Sequence, residues 1–172
     1  DADLTIAELM RRLAGGLPLD GLPGVMHRKG YAGRAPNLDN LDLTPIPDFD
    51  EYFQARQAAG YDGERGAREV MIPIETARGC WYGMKNHCTF CGLNRAGMDF
   101  RSKSAPQVLE QLQALSRRYG ALSFNAIDNI LAPDYVASLF GKLAEGKTDL
   151  KLHYEIRPTM SHQQLRQLRR GG

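Results

Sequence analysis

Cysteine is nearly absent from this 172-residue chain: there are 3, and all of them fall between residues 80 and 91. An odd, clustered set excludes a disulfide framework and fits thiols kept reduced as ligands or reagents, as in the cytoplasm. Net charge is scarce too. The 22 basic and 20 acidic residues leave +2, spread along the chain, so no broad electrostatic case for nucleic acid exists. Long apolar runs are missing, since none approaches the roughly 18 residues of a membrane span. A charged start followed by an apolar segment and a small-residue cleavage site is also missing. The expectation is a cytoplasmic protein with no membrane partner. What is present, 42% hydrophobic residues, suffices to bury a core.

The first residue is Asp1, already inside a helical pattern: Thr5 and Glu8 read as a capping box, Ile6, Leu9, Met10 and Leu13 as an apolar stripe, and Gly15-Gly16 as its stop. The last residues, Gly171-Gly172, fall where an alternating fold would launch another strand. Both ends read as cut, so a fragment is expected. Residues 17 to 66 hold most of the prolines and little periodicity. Within them "GVMHRKGYAGRA" suggests a short hairpin around Lys29-Gly30, and Pro45 and Pro47 an extended path before Phe49, Tyr52 and Phe53. Residues 17 to 66 therefore read as a linker packed on a neighbour.

From Val70 the punctuation becomes regular. "VMIPIETA" reads as a strand that runs into the cysteine loop. Ser104 and Gln107 then cap a helix whose apolar face is Val108, Leu109, Leu112, Leu115 and Tyr119, ended by Gly120. "ALSFNAI" reads as a second strand. Pro133 and Asp134 open a helix that Gly146 ends, "DLKLHYEI" is a third strand, and Ser161 with Gln164 caps a last helix. Strand and helix alternating three times predicts an α/β fold with a parallel sheet, an open doubly wound sheet or part of a (β/α) barrel. In both, chemistry gathers at the carboxyl ends of the strands, where the cysteine loop begins.

Cys80, Cys88 and Cys91 have the spacing C-x7-C-x2-C. Three readings are open. The cysteines can be small buried apolar side chains. They can join His87 in a Cys3His zinc site, although the adjacency of His87 and Cys88 makes ligation by both awkward. Or they can hold a four-iron four-sulfur cluster, which normally takes four thiolates. Three thiolates leave one iron with an open position, the mark of a catalytic centre. At the mouth of a βα array, such a centre suits reductive cleavage of S-adenosylmethionine.

The triplet, with Phe90 before its last member and "IPIETARGC" leading in, resembles the radical S-adenosylmethionine (SAM) superfamily. The longer string "ETARGCWYGMKNHCTFCGLN", with "MDFRSKS", "FNAIDNI" and "HYEIRP", resembles a narrower group, the cobalamin-dependent enzymes called ribosomal peptide maturation radical SAM protein 1. The widened first spacing separates that group from the usual C-x3-C-x2-C. The resemblance covers residues 70–172 strongly and 1–53 more loosely. It implies that residues 70–172 are the first three βα units of a partial radical SAM barrel, preceded by the tail of a cobalamin-binding domain. It also implies that Cys80, Cys88 and Cys91 ligate three irons, and that the fourth binds the methionine end of S-adenosylmethionine. Cleavage then yields a 5′-deoxyadenosyl radical that takes hydrogen from a ribosomally made precursor peptide, and methylcobalamin donates a methyl group. A reductant protein such as a flavodoxin or ferredoxin is implied as partner. The alternative substrate is a small molecule or tetrapyrrole.

Further cofactor-binding candidates follow. Phe90 would pack near the adenine, as the matching aromatic does in the superfamily. Asp128 and Asn129 end the second strand, within reach of the nucleotide's amino group or ribose. Glu155 shares a strand face with His153 and Arg157, which suggests a polar barrel interior near the mouth. Arg78, Lys85, Arg101 and Lys103 flank the loop as possible carboxylate binders. Trp81 and Tyr82 either shield the cluster or pack against the linker. His27 is a tempting cobalt ligand, although solitary hairpin histidines are usually surface residues.

Overall fold

The computed structural model describes residues 2–61, 70–93 and 97–172. The chain divides into two compact units, Asp1–Asn40 and Leu41–Gly172.

The first unit holds helix α1 (Asp3–Ala14) and the hairpin strands β1 (Met26–His27) and β2 (Gly30–Tyr31). The expected hairpin forms, pairing Met26 with Tyr31 and His27 with Gly30. The expected cap on α1 does not. The N-cap is Ala2, and Thr5 lies inside the helix, where its hydroxyl donates to the Pro23 carbonyl at 3.2 Å. Glu8 cannot reach back to complete a box because Arg11 and Arg12 each hold its carboxylate at 2.7 Å. Those two guanidinium partners pull its pKa down to about 2. His27 Nε2 lies 3.7 Å from the Asp20 carboxylate.

The second unit carries the alternation that the sequence predicts. A single 3-10 turn (Leu41–Leu43) and α2 (Asp50–Ala58) precede β3 (Met71–Ile74), β4 (Ala77–Arg78) and β5 (Arg101–Ser102). Then come α3 (Ala105–Tyr119), β6 (Ser123–Ala126), α4 (Tyr135–Gly146), β7 (Lys151–His153) and α5 (His162–Gly171). Strands β3, β6 and β7 form a parallel three-stranded sheet in that order. Such a sheet is compatible with the first part of a (β/α) barrel.

One face of the sheet is covered. Ile72, Ile74, Phe124 and Ala126 point into the core, which Val108, Leu112 and Leu115 of α3 and Leu139, Phe140 and Leu143 of α4 complete. The alternate residues Met71, Ile127, His153 and Glu155 are exposed. Period-2 alternation on the strands and period-3.6 stripes on the helices account for this one-sided burial. Ends are marked as expected: Gly120 closes α3 in the left-handed region at φ 67°, and Ser161 with Gln164 forms a complete capping box on α5. At α3 the predicted cap forms. Ser104 Oγ accepts from the Gln107 amide, while the Ser104 amide donates to Asp42 at 2.7 Å.

The segment before the sheet packs on α3. Phe53 stacks on Tyr119 with ring centroids 4.5 Å apart, the Phe49 amide donates to the Tyr119 hydroxyl at 2.8 Å, and Arg118 bridges Asp48 and Asp50. Among the described residues no helix is long and apolar enough to cross a membrane.

Candidate metal and nucleotide site

The cysteine loop leaves the sheet at the carboxyl end of β3 and is closed at its base. Strands β4 and β5 pair antiparallel, Ala77 with Ser102 and Arg78 with Arg101, and the Lys103 amide donates to the Thr76 carbonyl at 2.8 Å. The loop is therefore a hairpin-like excursion whose two ends meet. Gly79 makes this possible. It adopts φ 77°, and a Cβ there would lie 2.3 Å from the Asp99 carbonyl oxygen. Only glycine tolerates both the left-handed backbone and so close an approach. The approach lets the Cys80 amide donate to the Met98 carbonyl at 3.0 Å.

Inside the loop the chain turns on itself twice. The Met84 amide donates to the Cys80 carbonyl at 3.0 Å and the Asn86 amide to the Tyr82 carbonyl at 2.8 Å. Gly83 lies under Met98, whose sulfur would be 2.5 Å from an added Cβ. The C-x2-C segment is a turn in which the Cys91 amide donates to the Cys88 carbonyl at 3.1 Å. Two sulfurs are met by backbone donors: the Gly83 amide reaches Cys80 Sγ at 3.2 Å and the Leu93 amide reaches Cys91 Sγ at 3.4 Å. Such N–H···S contacts are a means by which iron–sulfur centres are tuned. Met84, His87, Cys91 and Met98 border a cavity of about 650 Å³.

Three thiols on one loop are donors of the kind that iron–sulfur clusters use. All three thiols are free and half-buried. Among the described residues no three His, Cys, Asp or Glu side chains converge closely enough to hold one ion. A cubane takes its thiolates on separate irons, so its ligands need not converge so closely. His87 is exposed and places Nε2 3.0 Å from the Leu93 carbonyl, a position from which it can only donate.

The loop is fastened to the ends of β6 and β7. Trp81 Nε1 donates to the Leu131 carbonyl at 2.9 Å, and Asn129 Nδ2 donates to the Gly79 carbonyl at 3.4 Å. The Arg157 guanidinium lies 3.9 Å from the Tyr82 ring centroid and 5.5 Å from that of Trp81. Trp81 and Tyr82 thus join the loop to the neighbouring strand ends. β7 ends at His153, so Glu155 and Arg157 lie beyond it and the expected shared strand face does not form; Arg157 uses its charge on those rings.

Beneath the loop lies a buried polar network. Thr76 is fully buried, and its hydroxyl meets Asp128 Oδ2 and, at 3.1 Å, the Tyr154 hydroxyl. The Tyr135 hydroxyl reaches the carbonyls of Thr76 at 3.0 Å and Lys103 at 2.8 Å. Burial pushes the Asp128 carboxyl up, against hydrogen bonds from Thr76 and Ala77 that pull it down. Burial likewise raises Tyr135 and Tyr154 and lowers the Lys103 ammonium, whose Nζ donates to Gln111 at 2.7 Å.

The other sequence candidates are dispersed at the mouth. Phe90 is 90% exposed on the C-x2-C turn. Glu155 is exposed at the end of β7, with His153 Nε2 4.0 Å away. Asn129 touches the loop backbone, and Asp128 is spent on Thr76 and Ala77. Sequence reasoning missed Thr76 and Tyr154. Thr76 lies in the apolar run entering the loop and Tyr154 in the third strand segment, where nothing along the sequence marks either as a hydrogen-bonding partner.

No family model matches this sequence, and no curated protein does. A solved structure does resemble it: the apo, selenomethionine-labelled form of the cobalamin-dependent S-adenosylmethionine radical enzyme OxsB, at TM-score 0.62 and 18% sequence identity. The likeness covers 99% of this chain and 25% of that one, so this chain spans about a quarter of that enzyme. At that identity the likeness speaks for the fold alone, a mixed α/β arrangement shared with part of that enzyme.

Proposed function

We propose that this chain is part of a radical SAM enzyme and that Cys80, Cys88 and Cys91 ligate a four-iron four-sulfur cluster. One observation carries the reading: three free, half-buried thiols share one loop, clasped at its base over the carboxyl end of a parallel sheet. Bound there, the cluster would leave one iron for the amino and carboxylate groups of S-adenosylmethionine and supply the electron for its reductive cleavage.

The chain's own residues have separate tasks in this reading. The Gly83 and Leu93 amides stabilise negative charge on Cys80 and Cys91. Trp81, held by Leu131 and covered by Arg157, limits water on that flank of the loop. Phe90, Asn129 and Glu155, all exposed at the mouth, are the side chains offered to the nucleotide. The finer assignment is a cytoplasmic, cobalamin-dependent C-methyltransferase acting on a ribosomally made peptide, fed by a flavodoxin- or ferredoxin-type reductant. It draws its support from the motif string at residues 75–94 and from the cobalamin-dependent neighbour in fold.

Anaerobic reconstitution with iron and sulfide tests the reading. About four irons and four sulfides per chain with a brown chromophore are expected, and Cys88→Ala should abolish the chromophore. One bound zinc, no visible absorption and chelator-induced unfolding would instead make this a metal-stapled binding module.

A further inference from the structure

We propose that Asp128 is a positioning residue: with Thr76 and Tyr154 it ties together the carboxyl ends of β3, β6 and β7 and sets the direction in which the cysteine loop leaves the sheet. The proposal rests on the reading that the loop holds a cluster, and it removes Asp128 from the candidates for nucleotide contact.

Asp128 is 4% exposed, and both of its oxygens are occupied. Oδ1 accepts from the Thr76 amide at 2.8 Å, Oδ2 accepts from the Thr76 hydroxyl, and the Ala77 amide also donates to the carboxylate. The Thr76 hydroxyl has a single proton. If it goes to the carboxylate, the Tyr154 hydroxyl 3.1 Å away must donate to Thr76 Oγ1. The result is a one-way chain of donors, Tyr154 to Thr76 to Asp128, with one member from the end of each parallel strand.

Every polar group of Thr76 is held. Its amide and hydroxyl are taken by Asp128, and its carbonyl accepts from the Lys103 amide at 2.8 Å and the Tyr135 hydroxyl at 3.0 Å. Thr76 precedes Cys80 by four residues. Through it the strand ends are locked to the base of the loop, from both its outgoing side at Thr76-Ala77 and its returning side at Lys103. Hydrogen bonds to an ionised acceptor are the strong kind, and in a buried site they hold geometry tightly. Three donors already engage this buried carboxylate, so in this arrangement its task is the lock.

The test compares Asp128→Asn, Thr76→Val and Thr76→Ser in the full chain. Asn keeps the shape of Asp128 but removes its charge and turns an N–H₂ toward Thr76 Oγ1, which must then accept, reversing the chain and leaving the Tyr154 proton without its acceptor. Val keeps the shape of Thr76 without the hydroxyl, and Ser keeps the hydroxyl. In metal-free protein, amide hydrogen exchange over residues 75–82 should quicken at least tenfold in Asp128→Asn and Thr76→Val. Exchange within β6 should stay unchanged, and Thr76→Ser should behave as wild type. After reconstitution the first two should carry less than half the wild-type iron, while S-adenosylmethionine still perturbs the spectrum of whatever cluster forms. Wild-type exchange over residues 75–82 in Asp128→Asn would overturn the proposal. So would full iron loading with loss of the nucleotide's spectral effect, since Asp128 would then be a ligand of the nucleotide. Should Asp128→Asn not fold, the serine and valine pair carries the same comparison with the carboxylate intact. A wild-type chain that takes up no iron sinks the functional reading, while the exchange data still decide this one.

Discussion

Replacing Gly79 with alanine probes the base of the cysteine loop directly, because the cost can be worked out from its surroundings. Gly79 is held at φ 77°, and an added Cβ would lie 2.3 Å from the Asp99 carbonyl oxygen, 2.6 Å from its carbon and 2.7 Å from the Met98 carbonyl oxygen. The left-handed conformation alone costs an L-residue about 1–2 kcal/mol. Moving the Met98–Asp99 backbone aside also loses the 3.0 Å bond from the Cys80 amide to the Met98 carbonyl, a further 0.5–1.5 kcal/mol or about that. The closed loop should therefore lose about 1.5–3.5 kcal/mol, which at tenfold per 1.4 kcal/mol makes opening about tenfold more frequent or greater. Hydrogen exchange of the Cys80 and Lys103 amides, in peptides spanning residues 77–84 and 101–106, measures it. Gly141→Ala is the control of opposite sign. It lies inside α4 with only the Gln167 side-chain nitrogen near, at 3.7 Å, and should stabilise by about 0.5–1 kcal/mol. If Gly79→Ala exchanges at the wild-type rate, the close approach at the loop base does not constrain the loop, and the reasoning is wrong.

Phe124→Ala, which empties a fully buried position on the middle strand, should cost about 3–5 kcal/mol. A denaturant midpoint lowered at unchanged slope is the expected record, and a loss below 1 kcal/mol or about that would contradict the core described here. Tyr119→Phe strips the acceptor from the Phe49 amide and the donor from Asp50, at 2.8 and 2.9 Å, while leaving the stack on Phe53. It should cost about 1–3 kcal/mol, and a neutral effect would mean that the segment before the sheet is not anchored there. For Glu8, titration followed by NMR should give a midpoint about 2, held down by Arg11 and then Arg12. Because that carboxyl is depressed in the folded chain, its stabilising effect is present above the ordinary value of 4.5 and is lost as pH falls through about 2. A midpoint at the ordinary value would remove both ion pairs.

Much of the second unit was legible because its signals are local and periodic. Val108, Leu112, Leu115 and Tyr119 are buried where a 3.6-residue stripe puts them, and Gly120 and the Ser161–Gln164 box end and begin helices as their chemistry demands. The three thiols were legible as a constellation, since spacing survives without coordinates. What escaped depends on partners distant in sequence. Thr76 meets Asp128 across 52 positions and Tyr154 across 78, and no pattern along the chain announces either. The β4–β5 ladder has two residues on each side, too few for any periodicity. At α1 the sequence supplied two competing uses for Glu8, and the arginines one turn away won over a cap because they offered two charged partners instead of one amide.

The clasp between β4 and β5 closes the thiol-bearing excursion at its base. Its ends, Arg78 and Arg101, are paired neighbours, so residues can be added or removed between them while β3, β6 and β7 keep their places. Lengthening such a closed excursion costs little, about 0.6 kcal/mol per doubling. An unusually wide first cysteine interval is thus a change that the scaffold can absorb, and interval length becomes a coordinate free to vary while the platform beneath is preserved.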